Sequence, residues 1–580
     1  MISLTIDGVK VTVPDNTTVL EAARAANIRI PTLCYLKGVN AIGACRICLV
    51  ELIKGGRGLQ ASCVLPAEDG MEVSTKSKAV MEARRVNLEL ILSNHDKRCL
   101  TCVRNRSCEL QQLCDELGVE DVPYDDDNTS HPIDNFSPSI VRDPNKCILC
   151  RRCVAVCNNI QKIGAVGAAK RGFNTVIEPV FGKSLNAVPC VNCGQCITAC
   201  PVGALTEKSE IENVWTALND PEKHVVVQTA PAVRFGLGEE FGIEPGSSVT
   251  GKMAAALRRI GFDKVFDVDF SADLTIMEEG TELIGRIKNG GKLPMITSCS
   301  PGWIKYCEHF FPDMLDNLST CKSPHQMGGA VIKSYYAQKF NIDPKTIYVV
   351  SVMPCTAKKF EKERDEMAVN GLRDVDAVLT TRELARMIKQ SNIDFKNLPD
   401  EDFDRVLGES SGAAVLFGAT GGVMEAALRT VADLLTGKDL KDIDYECVRG
   451  VDGVKEATLN IGGMDINVAV ANGTGSAKRL LEAVRNGKKQ YHFIEVMGCP
   501  GGCVTGGGQP IVSARDKMDI NPYVLRAKAT YAEDAGKPKR KSHENEEVKM
   551  LYEQFLGEPN SHKAHELLHT RYQKRPKYQQ

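Results

Sequence analysis

Apolar and polar residues alternate through Ile2–Ile6 and again through Val9–Val13, with Asp7-Gly8 between the two runs. A period of two predicts paired strands joined by a tight turn. Val19–Ala26 shifts to helical spacing, with Asp15 or Asn16 as the expected cap. Residues 1–78 thus read as a small β-rich domain. Residues 79–125 read as helical, amphipathic over Met81–Leu92, with a cysteine-rich end. The acidic, polar run from Tyr124 to Ser130 reads as a linker. From 221 to 522, apolar runs at Val225–Gln228, Tyr348–Val352, Ala413–Phe417 and His492–Val496 read as strands between helical stretches. That is an α/β pattern. The charged tail 523–580 reads as helical over Asn545–Phe555 and His562–His569.

Composition adds little until the cysteines are counted. The chain has 580 residues, 43% hydrophobic and 25% charged, so it reads as an ordinary globular protein of several domains. A net charge of -2 gives no bulk basic surface for nucleic acid. No apolar run is long enough to cross a membrane, and the first residues lack the shape of an export signal, so a cytoplasmic protein is expected. There are 23 cysteines, an odd number, and they come in groups. Grouped, reduced thiols point to zinc or to iron–sulfur clusters rather than to disulfides.

The groups have distinct spacings. Cys147, Cys150, Cys153 and Cys157 follow C-x2-C-x2-C-x3-C, and Cys190, Cys193, Cys196 and Cys200 repeat it within residues 138–208. In this two-cluster ferredoxin pattern the fourth cysteine of each run ligates the other cluster. One [4Fe–4S] is therefore expected on Cys147, Cys150, Cys153 and Cys200, and a second on Cys190, Cys193, Cys196 and Cys157. Asn158 stands where proline is usual; Pro201 follows the second run. Cys34, Cys45, Cys48 and Cys63 form a looser set suggesting [2Fe–2S], with Gly43 allowing the backbone to wrap closely. His95, Cys99, Cys102 and Cys108 form a fourth set, His95 standing one helical turn before Cys99. On spacing alone zinc remains the alternative for the last two sets.

Three stretches of the α/β region carry the remaining chemistry: Met295–Trp303 (MITSCSPGW), Met353–Glu361 (MPCTAKKFE) and Glu495–Pro510 (EVMGCPGGCVTGGGQP). They resemble the three signatures of the [FeFe]-hydrogenases, TSCCPxW, MPCxxKxxE and ExMxCxxGCxxG. The resemblance covers essentially the whole chain. Its domain order is similar to the large clostridial-type enzymes with four accessory clusters, and to catalytic subunits of NAD(P)-linked or electron-bifurcating hydrogenases. It implies a multidomain α+β and α/β fold. A β-grasp [2Fe–2S] domain (1–78) is followed by a histidine-ligated [4Fe–4S] domain (79–125) and a ferredoxin-like domain with two [4Fe–4S] clusters (138–208). An α/β H-cluster domain (221–522) and a helical, small-subunit-like C-terminal region (523–580) complete it. The implied cofactors are one [2Fe–2S], three accessory [4Fe–4S] and the H-cluster. The H-cluster is a [4Fe–4S] joined by a cysteine to a diiron unit carrying CO, cyanide and an azadithiolate.

The implied activity is reversible H2 oxidation and proton reduction. Cys355, Cys499 and Cys503 would ligate the cubane, with Cys503 bridging to the diiron unit. Lys358 would pair with one cyanide, Ala230 and Pro231 would bring backbone to the other, and Met353, Met497 and Phe417 would wall the pocket. The proton path would run through Cys299, Glu279, Ser319, Glu282 and Arg286. Spacing agrees, because Glu279, Glu282 and Arg286 share one helical face. The pattern departs from the family at Ser300, where a ligand cysteine is expected. Either the Ser300 alkoxide ligates iron, or Cys299 takes the ligand role, or the register differs; the relay reading of Cys299 is favoured. His325 stands where glutamine is frequent and Ala232 where serine is. Cys114, Cys307, Cys321 and Cys447 fall outside every ligand set and are expected to be small buried residues. With no dinucleotide fingerprint in the chain, ferredoxin or flavin-containing NAD(P)-linked subunits are the expected electron partners. A single-subunit ferredoxin enzyme is the second reading, and a non-catalytic assembly or H2-sensing relative the third.

Overall fold

Strands Ile2–Ile6 and Val9–Val13 pair antiparallel, and Asp7 and Gly8 both take positive φ, 47° and 85°, as a type I′ hairpin turn requires. The structure, a computed structural model, describes residues 1–124, 130–451 and 453–578; residues 125–129 of the expected linker lie outside them. The first sheet runs in the order Val9–Val13, Ile2–Ile6, Glu72–Ser74, Leu49–Lys54, Gly58–Ala61, with Ile2–Ile6 and Glu72–Ser74 parallel. Helix Val19–Ala25 packs Val19, Leu20, Ala22 and Ala23 into this domain's core, completing the β-grasp. Its cap is Thr18, not Asp15 or Asn16: Thr18 Oγ1 accepts from Glu21 N–H at 3.3 Å. A cap must directly precede the first helical residue for its oxygen to reach the free N–H groups.

The middle of the chain is built from two short antiparallel ribbons, Ile140–Arg142 with Leu205–Glu207 and Gly167–Ala169 with Val176–Glu178. The helices Arg152–Ala155 and Gln195–Ala199 carry the cysteine runs. The helix after the second run stops before Cys200-Pro201. After the first run, with Asn158 in place of proline, the chain continues as one π turn over Val156–Ile160. That turn delivers Gln161, which has no exposed surface. Its side-chain amide donates to Gly498 O at 2.8 Å and its backbone carbonyl accepts from Thr474 Oγ1 at 2.7 Å. The departure from the ferredoxin pattern thus becomes a joint to the next domain.

Residues beyond 221 form two four-stranded sheets. One is wholly parallel, ordered Lys264–Asp267, His224–Thr229, Ile347–Met353, Ala377–Thr380. The other is ordered Met295–Ile296, Phe493–Met497, Met464–Asn472, Val454–Ile461, and only its last pair is antiparallel. Continuous Val/Ile runs at the centre suit strands buried on both faces. Ala413–Phe417 is not a strand. It forms the short helix Gly412–Val415 and a 3-10 turn, capped by Ser411 Oγ accepting from Ala414 N–H. A fully buried apolar run of this length carries no period to tell strand from helix.

The C-terminal residues wrap this domain through helices Pro522–Gly536, Glu546–Leu551 and His562–Leu568, tied by buried ion pairs. Arg429 is the centre of one, donating to Asp534 at 2.8 and 2.9 Å and to Glu425 at 2.7 Å, all three buried. Removing one partner of a buried network strands the other charges. Arg429→Ala is therefore expected to destabilise the domain by about 3–5 kcal/mol. The readout is a lower thermal midpoint and faster proteolytic release of the C-terminal arm; an unchanged midpoint would contradict this role.

Candidate metal centres

In the first domain the thiols of Cys34, Cys45, Cys48 and Cys63 converge. The Cys45 and Cys63 thiols act on Cys34, the Cys63 thiol acts on Cys48, and Cys34 N–H lies 3.4 Å from Cys45 Sγ. Gly43 takes φ 60° where the loop turns around them. His95 follows the end of helix Lys78–Ser93 rather than sitting on the same helix as Cys99, which begins a 3-10 turn. It is buried all the same, and its Nδ1 has no hydrogen-bond partner. Cys108 Sγ donates to Pro201 O at 3.8 Å, and a Cβ on Gly203 would fall 2.7 Å from Cys102 Sγ. The histidine set therefore packs against the loop that carries Cys200.

Cys147, Cys150, Cys153 and Cys200 line one cavity, which Cys196 also borders. The fourth cysteine of the second run thus joins the first three of the first run, as the spacing rule requires. Cys157 likewise belongs with Cys190, Cys193 and Cys196, whose charges act on one another. Burial raises all these thiols, an energetic debt that metal coordination reverses by deprotonating them. The donors also stand too far apart for one ion. A tetrahedral zinc with Zn–S near ~2.3 Å needs sulfurs about 3.8 Å apart. Among the described residues the one trio with all donor atoms within 4.8 Å is Glu282, Cys321 and His569, which belongs to none of these sets. Spacing this wide fits the edge of an iron–sulfur cluster.

The sets are joined in a fork. Asn40 Nδ2 donates to Cys34 O at 2.8 Å and to Cys150 O at 3.1 Å, linking the first domain to the Cys147 set. The histidine set reaches the same site through Pro201. The Cys190 set leads onward: Cys499 Sγ donates to Cys193 O at 3.9 Å and Thr356 Oγ1 donates to Asn192 O at 2.7 Å. Gly507 lets this contact form, since a Cβ there would fall 2.2 Å from Cys193 O.

Beyond the fork lies a second cavity. It sits off the carboxyl ends of the parallel strands of both sheets, where α/β folds place their ligands. From the first sheet come Ala230, Pro231, Met353, Cys355 and Lys358; from the second, Cys299, Ser300, Met497, Cys499 and Cys503; His325 and Phe417 close it. Every residue expected by resemblance to hold or wall the H-cluster thus lines one cavity, whereas Ala232 packs with Ala419 and Val504 and does not line it. The lining is mainly apolar, with three signature thiols plus Cys299 and one fixed cation, Lys358. Such a donor set suits a bulky, anionic, thiolate-bound metal group. Gly502 and Gly506 keep it open, because a Cβ would meet Thr420 N at 2.7 Å and Pro354 O at 2.1 Å.

Lys358 Nζ donates to Glu361 Oε2 at 2.8 Å and to Cys299 O at 3.1 Å. His325 Nε2 lies 2.6 Å from the same Glu361 oxygen. Burial works to raise the Glu361 carboxyl, but Lys358 and His325 outweigh it and hold it at about 2. Burial and then Lys358 push His325 down to about 4, so its ring is neutral at pH 7. Neutral His325 donates through Nε2, and its Nδ1 has no hydrogen-bond partner. Ser300 Oγ accepts from Gly498 N–H at 3.1 Å.

Helix Val268–Lys288 connects this cavity to the surface. Val268 and Ala272 line the cavity, Glu279 is buried beyond them, and Glu282 and Arg286 emerge near the far end. Burial pushes the Glu279 carboxyl up to about 8, with Ser319 pulling the other way by hydrogen bonding. Ser319 Oγ donates to Glu282 Oε2 at 3.1 Å, and Arg286 donates to Glu282 Oε1 at 2.6 Å. Burial, and then Glu279, raise the Cys299 thiol. The five residues therefore form a sequence of neighbours from cavity to solvent.

Several residues carry weight that spacing did not reveal. Glu495 caps the helix Gly422–Thr436, accepting from Gly421 and Met424 N–H at 2.7 Å each. Burial lifts it to about 7. Thr320, His569 and Glu278 extend the polar chain at Glu282, and no spacing in the sequence joins them. Of the stray cysteines, Cys307 and Cys321 are buried as expected, Cys114 is half-buried, and Cys447 is exposed, correcting that expectation. Cys447 sits in a short 3-10 turn, where only the neighbouring Val448 turns inward.

Family models match along the chain in order. They are a 2Fe-2S iron-sulfur cluster binding domain at 1–78 and an NADH-ubiquinone oxidoreductase-G iron-sulfur binding region at 84–123. An NADH-quinone oxidoreductase subunit 3 ferredoxin-like domain matches 137–206. The C-terminal domain of the iron only hydrogenase large subunit matches 223–507, and the iron hydrogenase small subunit matches 521–575. The NADP-reducing hydrogenase subunit HndD of Solidesulfovibrio fructosivorans is 52% identical, covering 99% of each chain. Iron hydrogenase 1 of Clostridium pasteurianum is 45% identical, covering 99% of this chain and 100% of its own. Among solved structures, a variant of [FeFe]-hydrogenase HydA1 from Chlamydomonas reinhardtii superposes with a TM-score of 0.56 at 43% identity, over 62% of this chain and 98% of that one. No helix among the described residues is long and apolar enough to cross a membrane.

Proposed function

The chain belongs to the iron-only hydrogenases, and on that premise we propose that it is the H2-activating subunit of a multisubunit, NAD(P)-linked enzyme. The observation that carries this reading is the fork: two sets of cluster donors, on the first two domains, both meet the Cys147 set. Two arms give two surfaces for exchanging electrons. The full-length likeness to an NADP-reducing subunit supports the same partner class. We assign one [2Fe–2S] to Cys34, Cys45, Cys48 and Cys63, and three accessory [4Fe–4S] to the histidine set and the two ferredoxin sets.

In the cavity, Cys355, Cys499 and Cys503 would hold the H-cluster through their thiolates. When bound, that cluster supplies reversible heterolytic cleavage of H2. Lys358, kept in place by Glu361, neutralises negative charge on the ligands, while Met353, Met497 and Phe417 exclude water. Cys299 takes up or delivers the proton at the cavity wall. Glu279, protonated below a pH of about 8, hands it through Ser319 to Glu282. Arg286 holds Glu282 at the exit.

The chain alone is expected to reduce a viologen or ferredoxin with H2 but not NAD(P)+, since the nucleotide chemistry lies on a partner. Direct H2-dependent NAD(P)+ reduction by the purified chain would contradict the multisubunit reading. We assign the fourth cubane position to Ser300 Oγ. An alkoxide is harder than a thiolate and favours oxidised iron. Ser300→Cys is thus expected to raise the cubane's potential, read by EPR-monitored titration of protein lacking the diiron unit. An unchanged potential would place Ser300 outside the ligand set.

A further inference from the structure

At the outer end of the acidic helix, the two oxygens of Glu282 face different ways. Oε1 is taken by Arg286, at 2.6 Å from its guanidinium. Oε2 faces Ser319 Oγ and Thr320 Oγ1, each at 3.1 Å, Thr320 N–H at 3.0 Å and Cys321 Sγ at 4.0 Å. His569 comes from the C-terminal arm, which a bridge between Cys321 and His569 holds in place. Its Nδ1 lies 2.7 Å from Thr320 Oγ1. One donor atom from each of Glu282, Cys321 and His569 lies within 4.8 Å of the other two.

What surrounds His569 matters more than the trio itself. Its other nitrogen, Nε2, is 3.0 Å from Glu278 Oε2, and Glu278 is in turn held by Tyr552 O–H at 2.5 Å and Asn560 N–H at 2.8 Å. Glu278 is fully buried. A carboxylate fixed in this way accepts the Nε2 proton and leaves the lone pair on Nδ1, towards Thr320 and Glu282. That is the carboxylate–histidine arrangement that orients imidazole ligands in metal sites. Carboxylate, imidazole and thiol together are the donor set of zinc-class ions, and three protein ligands leave a fourth position for water.

We propose that Glu282, Cys321 and His569 form a binding site for a zinc-class divalent cation, and that occupancy closes the proton exit by taking Glu282 Oε2. Binding forms the metal–sulfur bond and releases the Cys321 thiol proton to solvent, with no change of oxidation state. The inhibitory half rests on the proton route proposed above; the site itself does not.

The test adds Zn2+ to the matured holoenzyme and follows H2 evolution with reduced viologen alongside zinc-edge X-ray absorption at one equivalent. The expected shell holds one sulfur near ~2.3 Å and nitrogen or oxygen near ~2.0 Å. Turnover falls on adding Zn2+, and the half-inhibiting concentration rises in Cys321→Ala and His569→Ala. Glu278→Gln, which keeps all three ligands, weakens zinc by roughly 10–100-fold. A shell with two or more sulfurs, or inhibition indifferent to Cys321 and His569, would overturn the proposal. The expected shell at unchanged turnover would leave the site standing and overturn the proton route through Glu282 instead.

Discussion

Glu279→Gln lowers H2 turnover by roughly 10²–10⁴-fold, the range expected for losing a positioned acid–base group, while leaving iron content and cluster spectra intact. Glutamine keeps the shape of the side chain but carries no acid proton. Glu279 is 1% exposed, and its Oε2 has no hydrogen-bond partner, so no neighbour replaces it. Burial raises its carboxyl from an ordinary 4.5 to about 8, so it is protonated at neutral pH and can both give and receive a proton there. The sign of the stability effect follows. Between those two values the folded state binds a proton that the unfolded state has lost, so this group's contribution to stability falls as pH rises from 4.5 to about 8. Glu279→Gln removes that slope. Normal turnover, or a stability profile unchanged between pH 5 and about 8, would contradict the role of Glu279.

Lys358→Met has the second large effect, and acts on retention of the diiron unit. Lys358 is 8% exposed and is the fixed cation among the described residues of the cavity wall. Without it, Glu361 and the anionic ligands share a buried space with neutral His325. Leaving a buried charge unpaired costs about 3–5 kcal/mol, or roughly 10²–10³-fold or more in affinity. Lys358→Met protein is therefore expected to keep its accessory clusters and lose the infrared bands of iron-bound CO and cyanide, with activity falling in proportion. Full bands and activity would show that Lys358 is not needed to hold the charge.

The grouping of the cysteines was legible because cluster chemistry fixes spacing: the doubled C-x2-C-x2-C-x3-C run foretold that Cys200 would line one cavity with Cys147, Cys150 and Cys153. The hairpin was legible because Asp7-Gly8 suits two positive φ values. Legibility ended where tertiary contacts decide. Ala413–Phe417 is apolar at every position, so its helix is set by the Ser411 cap and by packing under Asp534. A Cβ on Gly412 would fall 2.1 Å from that carboxyl. Glu361 and Glu495 stood in recognised signatures, yet only their partners show that one holds Lys358 and the other caps a helix. His569 lies 287 positions from Glu282, and nothing in local spacing joins them. Ser300 keeps both kinds of information: its position is a motif's, its identity is not.

The most direct test is infrared spectroscopy of anaerobic protein matured with the diiron cofactor. Bands of iron-bound CO and cyanide that shift under H2 are the result expected if the cavity bounded by Cys355, Lys358, Cys499 and Cys503 holds a working H-cluster beside Ser300. Absence of those bands after competent maturation would contradict it, and would leave the chain an electron carrier without a site for H2.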